Sequence, residues 1–442
     1  MVLEKWNSWW ATGRVEEELL GIKRNKGIFF ETEHIKDVIG VRRSGKTTYI
    51  MEIINTLLKE GINPKEIVFI NFDDPQIKSK NLEEINELIF TTRPEVKYLF
   101  VDEVQEKKGW EEWIRMNYDL KNFKQIYVTG SSSSLISKEI GRTLTGRHIT
   151  INFTPFSFYE YVNFHLGGGI DYEKIKYNQY KIKNLFNNYL ISGGFPETFN
   201  KSDTIKHIIL NNIYTDILSR DIAARYNINY DKLEIISSYL LNNIKNEYSY
   251  KSVSRKLNIA YETVEKYVEY LKDSFLFYEL QRFDYKLSQQ YRKNKKIYTV
   301  DTGLFSIVSF KFSENRGKLL ENIVFLELIR REKEIYYYKE KNECDFVIKE
   351  GLDIVQAIQV SESLKNNNTK KREIEGLLDA CIKYNLKEGL ILTEDEEGEE
   401  MREVSLESGE GSIESREKRG GRREKFRKVK IIIKPMWKWL LE

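Results

Sequence analysis

The sequence predicts an α/β fold, a parallel sheet with helices on both faces, and three observations carry that reading. Short apolar runs alternate with longer amphipathic stretches over residues 34–155. A glycine-rich turn holding a lysine and a threonine separates the first run from the first amphipathic stretch. Two adjacent acids close a later run. Strands that alternate with helices pair in parallel, because each helical crossover returns the chain to the same end of the sheet.

Residues 1–33 read as a helical lead-in docked by Trp6, Trp9 and Trp10. Residues 35–39 form the first expected strand. Residues 47–59 follow as a helix, with Ile50, Ile53, Ile54, Leu57 and Leu58 on one face. Further strands fall at 67–70, 98–101, 126–128 and 149–153, with helices over 82–90 and 110–120. A helical lid follows at 156–230, broken at Gly167-Gly168-Gly169 and at Gly193-Gly194-Phe195-Pro196. Residues 231–295 read as three helices and then short strands, and 296–442 return to mixed α/β. Within the last block, 394–428 runs from Glu394-Asp395-Glu396-Glu397 to a basic stretch at 416–423. Apolar residues are sparse there, so it is expected to be a disordered insertion.

A chain of 442 residues has room for two to four domains. With 71 basic against 68 acidic residues, net charge argues neither for nor against a polyanionic partner, so any basic groove must be local. Cys344 and Cys381 lie far apart and the four histidines are scattered, which speaks against a zinc site or a disulfide scaffold. No apolar run reaches 18 residues, and the expectation is a cytoplasmic protein without membrane contact.

Gly40-Val41-Arg42-Arg43-Ser44-Gly45-Lys46-Thr47 fits G-x-x-x-x-G-K-[ST] at every fixed position. The turn sits between a strand and a helix, as a P-loop must. Its glycines let successive amides point at phosphate oxygens, and the helix N-terminus adds positive partial charge. ATP and Mg²⁺ are the expected ligands. Lys46 would reach the β- and γ-phosphates, and Thr47, followed by Thr48, would offer its hydroxyl to the metal. Asp102 and Glu103 end the strand at 98–101. Asp102 is the candidate Mg²⁺ ligand and Glu103 the candidate general base. In the turn after the next strand, Ser131 and Ser132 are candidates to sense the γ-phosphate, with helix N-capping as the alternative. Arg142 and Arg147 are each a candidate arginine finger or a surface salt bridge.

These residues resemble a family of archaeal AAA-type ATPases. The likeness rests on 40–48, on Val101-Asp102-Glu103-Val104-Gln105, on Thr129-Gly130-Ser131-Ser132 and on Leu144-Thr145-Gly146-Arg147. It continues through Gly193-Gly194-Phe195-Pro196-Glu197, Ser219-Arg220-Asp221-Ile222, Glu343-Cys344-Asp345-Phe346 and Pro435-Met436-Trp437-Lys438-Trp439. It implies an AAA-type P-loop core with five parallel strands, a helical lid, a winged helix and a C-terminal domain resembling restriction-endonuclease folds. It further implies that Arg220 acts as a second sensor. A nuclease of that kind needs a helix glutamate, a strand aspartate and then E-x-K. Glu321 and Asp345 fit the first two, but Gln359-Val360-Ser361 stands where E-x-K belongs. A glutamine is a weaker metal ligand and a serine carries no charge, so a degenerate site is expected.

Residues 249–273 have helix-turn-helix spacing, with Val253, Leu257, Val264, Val268 and Leu271 inward. The second helix exposes Glu262, Glu265 and Glu269, which repel phosphate. Basic residues cluster at Lys251, Arg255 and Lys256 and at Arg292, Lys293, Lys295 and Lys296. Three readings follow. One is a nucleotide-driven switch or motor on DNA. The second is a signal-transducing ATPase that assembles protein partners, as a homo-oligomer if a finger acts in trans. The third is an ATP-dependent nuclease.

Overall fold

The computed structural model describes residues 2–25, 27, 32–132, 144, 146–308, 312–406, 414–417 and 423–442. The chain divides into two compact units. One comprises residues 1–160, 194–237 and 265–277, the other 161–193, 238–264 and 278–442.

The first unit is built on five strands: β1 (Ile35–Gly40), β2 (Ile67–Asn71), β3 (Tyr98–Asp102), β4 (Gln125–Gly130) and β5 (His148–Phe153). All pair in parallel, in the order β2-β3-β4-β1-β5. β1 to β4 bury both faces, with alternate residues serving opposite layers, while the edge strand β5 exposes Thr150 and Asn152. Val68, Ile70, Leu99, Val101, Ile126 and Val128 pack with Ile85 and Ile89 and with Trp110, Trp113 and Ile114 from the helices Leu82–Thr92 and Trp110–Asp119. Ile67, Phe69, Tyr98, Phe100 and Tyr127 pack on the other side, against Ile50, Ile53, Ile54 and Leu57 of the helix Lys46–Lys59.

The lead-in covers the sheet edge at β2. Asn7 accepts from the Phe69 amide at 2.7 Å and donates to the Phe69 carbonyl at 2.9 Å. The indoles of Trp9 and Trp10 both donate to the Ile67 carbonyl, and that of Trp6 to Asp74. Unpaired edge groups are thereby satisfied, as a buried edge requires.

The second unit holds most of a small three-stranded sheet, β6 (Glu247–Tyr248), β7 (Phe277–Leu280) and β8 (Lys295–Thr299), in the order β6-β8-β7. The helix Tyr250–Leu257 ends at Asn258, which takes the left-handed region, and the helix Tyr261–Asp273 follows and runs on into the first unit. A seven-stranded mixed sheet completes the unit. Its strands are β9 (Glu334–Lys339), β10 (Glu343–Glu350), β11 (Asp353–Val360), β12 (Glu388–Thr393), β13 (Gly398–Leu406), β14 (Glu414–Glu417) and β15 (Arg423–Pro435). Six lie in the order β13-β15-β12-β11-β10-β9, with β14 on β15. The helix Asn367–Lys383 crosses from β11 to β12 and packs Leu377, Ala380 and Cys381 into this core.

The expected disordered insertion at 394–428 is corrected in part. Much of it is a hairpin, β13 paired antiparallel with β15 from Gly398↔Ile433 to Leu406↔Lys425. Val429 and Ile431 bury in the core and anchor β15. Opposite charges such as Glu399 and Lys430 then meet across the ladder. An exposed hairpin built on one anchored strand needs few apolar residues of its own, so composition concealed it. Residues 407–413 and 418–422 lie outside the described ones.

Candidate functional site

The P-loop turn leaves β1 at Gly40 and enters the helix Lys46–Lys59 at Gly45. Gly40 has φ +154°, and a Cβ there would sit 1.8 Å from the Phe153 carbonyl oxygen of β5. Gly45 has φ +96°. Both conformations suit glycine alone and bend the loop around the helix N-terminus, whose first amides have no intrahelical acceptor. The Lys46 ammonium folds back to donate to the carbonyls of Gly40 and Val41, both at 3.0 Å. Burial lowers its pKa, against the pull of Glu103, Asp102 and Asp221. Ser44 Oγ is buried with no hydrogen-bond partner. Thr48 points at Gly21 of the lead-in.

Asp102, at the end of β3, receives a hydroxyl on each oxygen. Thr47 donates to Oδ2 at 2.9 Å and Thr129 donates to Oδ1. Burial, and then the neighbouring Glu103, push the Asp102 carboxyl up to about 6 despite those bonds. Glu103 takes a left-handed φ of 54°, its amide bonds Thr129 Oγ1 at 3.1 Å, and Gln105 donates to its carboxylate. Gln105 also donates to Ser131 Oγ at 3.2 Å, so that sensor candidate is linked to the base candidate. Ser132 is buried beside it. The donor set suits a nucleotide with a divalent cation. Lys46 and the loop amides would face phosphate, and Thr47 and Asp102 the cation.

Two expected residues, Arg147 and Arg220, are not brought into this cradle. Arg142 lies outside the described residues. Arg147 precedes β5 at the end where Ile35 pairs with His148, roughly 17 Å of strand from Gly40. Its guanidinium bonds Asp119 at 2.9 Å, so it does not serve this chain's own phosphate site. Arg220 is exposed, and it is the next residue, Asp221, that meets the P-loop.

Sequence reasoning missed the supports. Arg24 is 1% exposed and ties the loop to its surroundings. It donates to the Ser44 carbonyl at 2.6 Å, to the Thr154 carbonyl at 3.1 Å and to both oxygens of Glu160. It lies over the rings of Phe153 and Phe156. No motif marks a lone arginine this far upstream. Asp221, Glu197 and Asp216 likewise close on Arg42 and Arg43 from residues distant in sequence.

In the second unit, Glu321 on the helix Phe312–Arg330 and Asp345 on β10 do converge, but on a cation of the chain itself. The Lys296 ammonium, from β8, stands 3.2 Å from Glu321, 3.4 Å from Asp345 and 2.7 Å from Glu343. Lys245 takes the other oxygen of Glu321 at 2.7 Å. Ser361 still stands where the E-x-K lysine belongs, and the cation beside the two carboxylates comes instead from Lys296. Gln359 is no ligand either. Its amide donates to Glu373 and its carbonyl accepts from the Asp345 amide at 3.2 Å. Burial raises the Asp345 carboxyl, with Glu321 adding to it. Glu321 is lowered because Lys296 and Lys245 outweigh its burial. A cleft of about 450 Å³ opens over Lys245, Asp345 and Gln359. Among the described residues no three carboxylate, imidazole or thiolate groups stand at metal-binding spacing. These residues do not fit a divalent ion.

The segment expected to form a wing is less basic than its sequence. Lys293 bonds Asp284 at 2.6 Å, Lys295 bonds Glu279 at 2.8 Å and Lys296 is buried, leaving Arg292 exposed with Tyr285 and Tyr291.

A P-loop on β1, acids closing β3 and hydroxyls closing β4, all on this strand order, define an AAA-type P-loop domain. The comparisons agree: a family model described as an AAA domain matches residues 32–162, and two models of domains of unknown function match 183–315 and 316–407. An uncharacterized protein of Methanocaldococcus jannaschii is 32% identical over 95% of this chain and 91% of its own length. The chain belongs to that protein's family, within the AAA-type P-loop class. An uncharacterized protein of Haemophilus influenzae is 29% identical over 82% of this chain and 90% of its own, so the likeness is not confined to archaea. Solved structures superpose only loosely. Cdc6p from Pyrobaculum aerophilum is 11% identical with a TM-score of 0.27, over 70% of this chain and 98% of that one. PCH-2 of C. elegans is 12% identical with a TM-score of 0.24, over 62% and 69%. Among the described residues no helix is long and apolar enough to cross a membrane.

Proposed function

We propose that this chain hydrolyses ATP at the P-loop with Mg²⁺ and uses the cycle as a switch on nucleic acid. The observation that carries the ATPase reading is the pair of hydroxyls on Asp102, which ties the P-loop threonine to the strand acid and leaves Glu103 beside them. Bound Mg²⁺ would supply charge neutralisation at the transferring phosphoryl group. Lys46 would exchange two carbonyls for phosphate oxygens. Glu103, held by Gln105, would take the proton of the attacking water. Arg147 suits an arginine finger only toward a second copy. The nucleic-acid reading draws on exposed Lys251, Arg255 and Lys256 and on the tyrosines of the wing.

A second reading, assembly of protein partners, is favoured by the acidic face of the helix Tyr261–Asp273, which repels phosphate backbones. A nuclease is the least supported, since Lys296 fills the space between the carboxylates.

The test is steady-state ATP hydrolysis with Mg²⁺ for wild type and Lys46→Ala, with and without DNA, across protein concentrations. Turnover lost by at least a hundredfold in the variant and raised by DNA upholds the reading. Specific activity that climbs with concentration and collapses in Arg147→Ala supports the finger in trans. No hydrolysis by wild type under any of these conditions would remove the catalytic roles of Asp102 and Glu103.

A further inference from the structure

The cradle carries two arginines that the P-loop pattern does not require, and carboxylates from residues 194–237 hold both. Arg42 makes a forked contact with Asp221: Nε to Oδ2 at 3.0 Å and to Oδ1 at 3.2 Å, and Nη2 to Oδ1 at 2.9 Å. Arg43, itself at φ 62°, reaches Glu197 at 2.8 Å and Asp216 at 3.6 Å. Asp221 is only 5% exposed and sits on the π-helical stretch Ile217–Ala224, whose wider turn changes where its side chains point. Its field reaches Lys46, and the field of Glu103 reaches Arg42, so all four groups share one space.

A carboxylate there would repel the terminal phosphate of a nucleotide. It is tolerated beside the cradle because Arg42 covers it. The fork takes Nε and Nη2 of Arg42 and compensates its charge on Asp221, so a terminal phosphate gains the full guanidinium only when that pair opens. We propose that Arg42 is shared: it pairs with Asp221 while the cradle is empty, and turns to the terminal phosphate of ATP when that arrives, releasing the segment that carries Asp221. The nucleotide-sensing cation thus rides on the P-loop, and the downstream segment supplies its counter-charge. That reverses the arrangement expected of Arg220. ADP, lacking the terminal phosphate, leaves the pair closed. The inference rests on the reading of the P-loop as an ATP site.

Binding of ATPγS and of ADP, each with Mg²⁺, to the full chain by titration calorimetry tests it. Asp221→Asn removes the competitor and tightens ATPγS by roughly tenfold, with ADP little changed. Arg42→Gln weakens ATPγS by a similar factor and erases the preference over ADP. Opposite signs mark the exchange. A salt bridge that merely props the fold would weaken binding in both variants, and that result, or equal effects on the two nucleotides, overturns the proposal. Should either variant lose its folding transition, hydrogen exchange of the wild type decides: ATPγS speeds exchange over 217–224 relative to ADP, and equal exchange overturns the idea. A wild type that binds neither nucleotide overturns the ATP reading, and this inference with it.

Discussion

Asp102→Asn separates what the nucleotide site needs for chemistry from what the empty fold prefers. The Asp102 carboxyl is buried beside Glu103, and its pKa rises from an ordinary 3.8 to about 6. A shift of that size corresponds to about 3 kcal/mol lost once the group is ionised. The sign follows from proton counts. Between pH 4 and 6 the folded chain holds a proton that the unfolded chain has released, so stability falls as pH rises through that window. At pH 7 the loss is complete. Asparagine keeps the shape and carries no charge. One threonine hydroxyl can still donate to its oxygen, and the other must turn to accept from the amide. The variant should therefore be more stable than wild type at pH 7.5 without ligand, by up to about 3 kcal/mol. That is a rise in melting temperature on the order of 5–10 °C for the first unit. Near pH 4 the difference should vanish. Thermal melts followed by circular dichroism from pH 4 to 8 measure this. Mg²⁺ with ATPγS should then raise the wild-type melting point and leave the variant nearly unmoved, because the cation loses its charged ligand. A variant that melts lower than wild type at every pH would refute the reasoning: Asp102 would then be a net stabilising anchor.

Two further outcomes complete the set. Arg24→Ala strands Glu160 in the interior and frees the Ser44 carbonyl, so it should cost about 3–5 kcal/mol and weaken nucleotide binding as well; Arg24→Lys, which cannot reproduce the fork, should recover only part, read by thermal melts and calorimetry. Lys296→Met leaves three carboxylates without their central cation and should lower the melting point of the second unit, with Mn²⁺ restoring it in the variant but having no such effect on wild type; DNA cleavage by wild type that needs Mg²⁺ and disappears in Asp345→Ala would contradict this view of the cluster.

What the sequence disclosed follows from how local each signal is. Each strand of the first sheet lies within two residues of its expected bounds, because short apolar-rich runs mark β1 to β4 and apolar residues alternate with polar ones in β5. The P-loop and the acids closing β3 could be read because their chemistry fixes residue type and spacing together. Asp221 and Arg24 could not. Each acts across twenty or more residues of chain, and nothing in an isolated Asp or Arg says which loop it will meet. Lys296 was misjudged for a related reason. It was counted as wing surface from its basic neighbours, while β8 buries it together with Ile297, Tyr298 and Thr299 and leaves Lys295 part-exposed. The hairpin of β13 and β15 escaped because its signal lies in cross-strand pairing rather than in apolar content.

The two charge clusters show why the P-loop lysine suits a phosphate ligand while the Lys296 cluster does not suit a metal. Lys46 is held by two carbonyl dipoles, and a phosphate group offers it full negative charge in their place. Exchange is favourable, and the backbone loses little. Lys296 is held by three carboxylates and Glu321 by a second lysine. A divalent ion entering there would have to expel an ammonium whose Coulomb energy is already spent on the same oxygens, and would leave that ammonium desolvated. Placing a cation against dipoles keeps a site open to anions, whereas placing it against carboxylates closes the site to metals. Arg42 stands between these limits. Its partner is a single forked carboxylate, a contact for which a terminal phosphate can compete, which is what a switch requires.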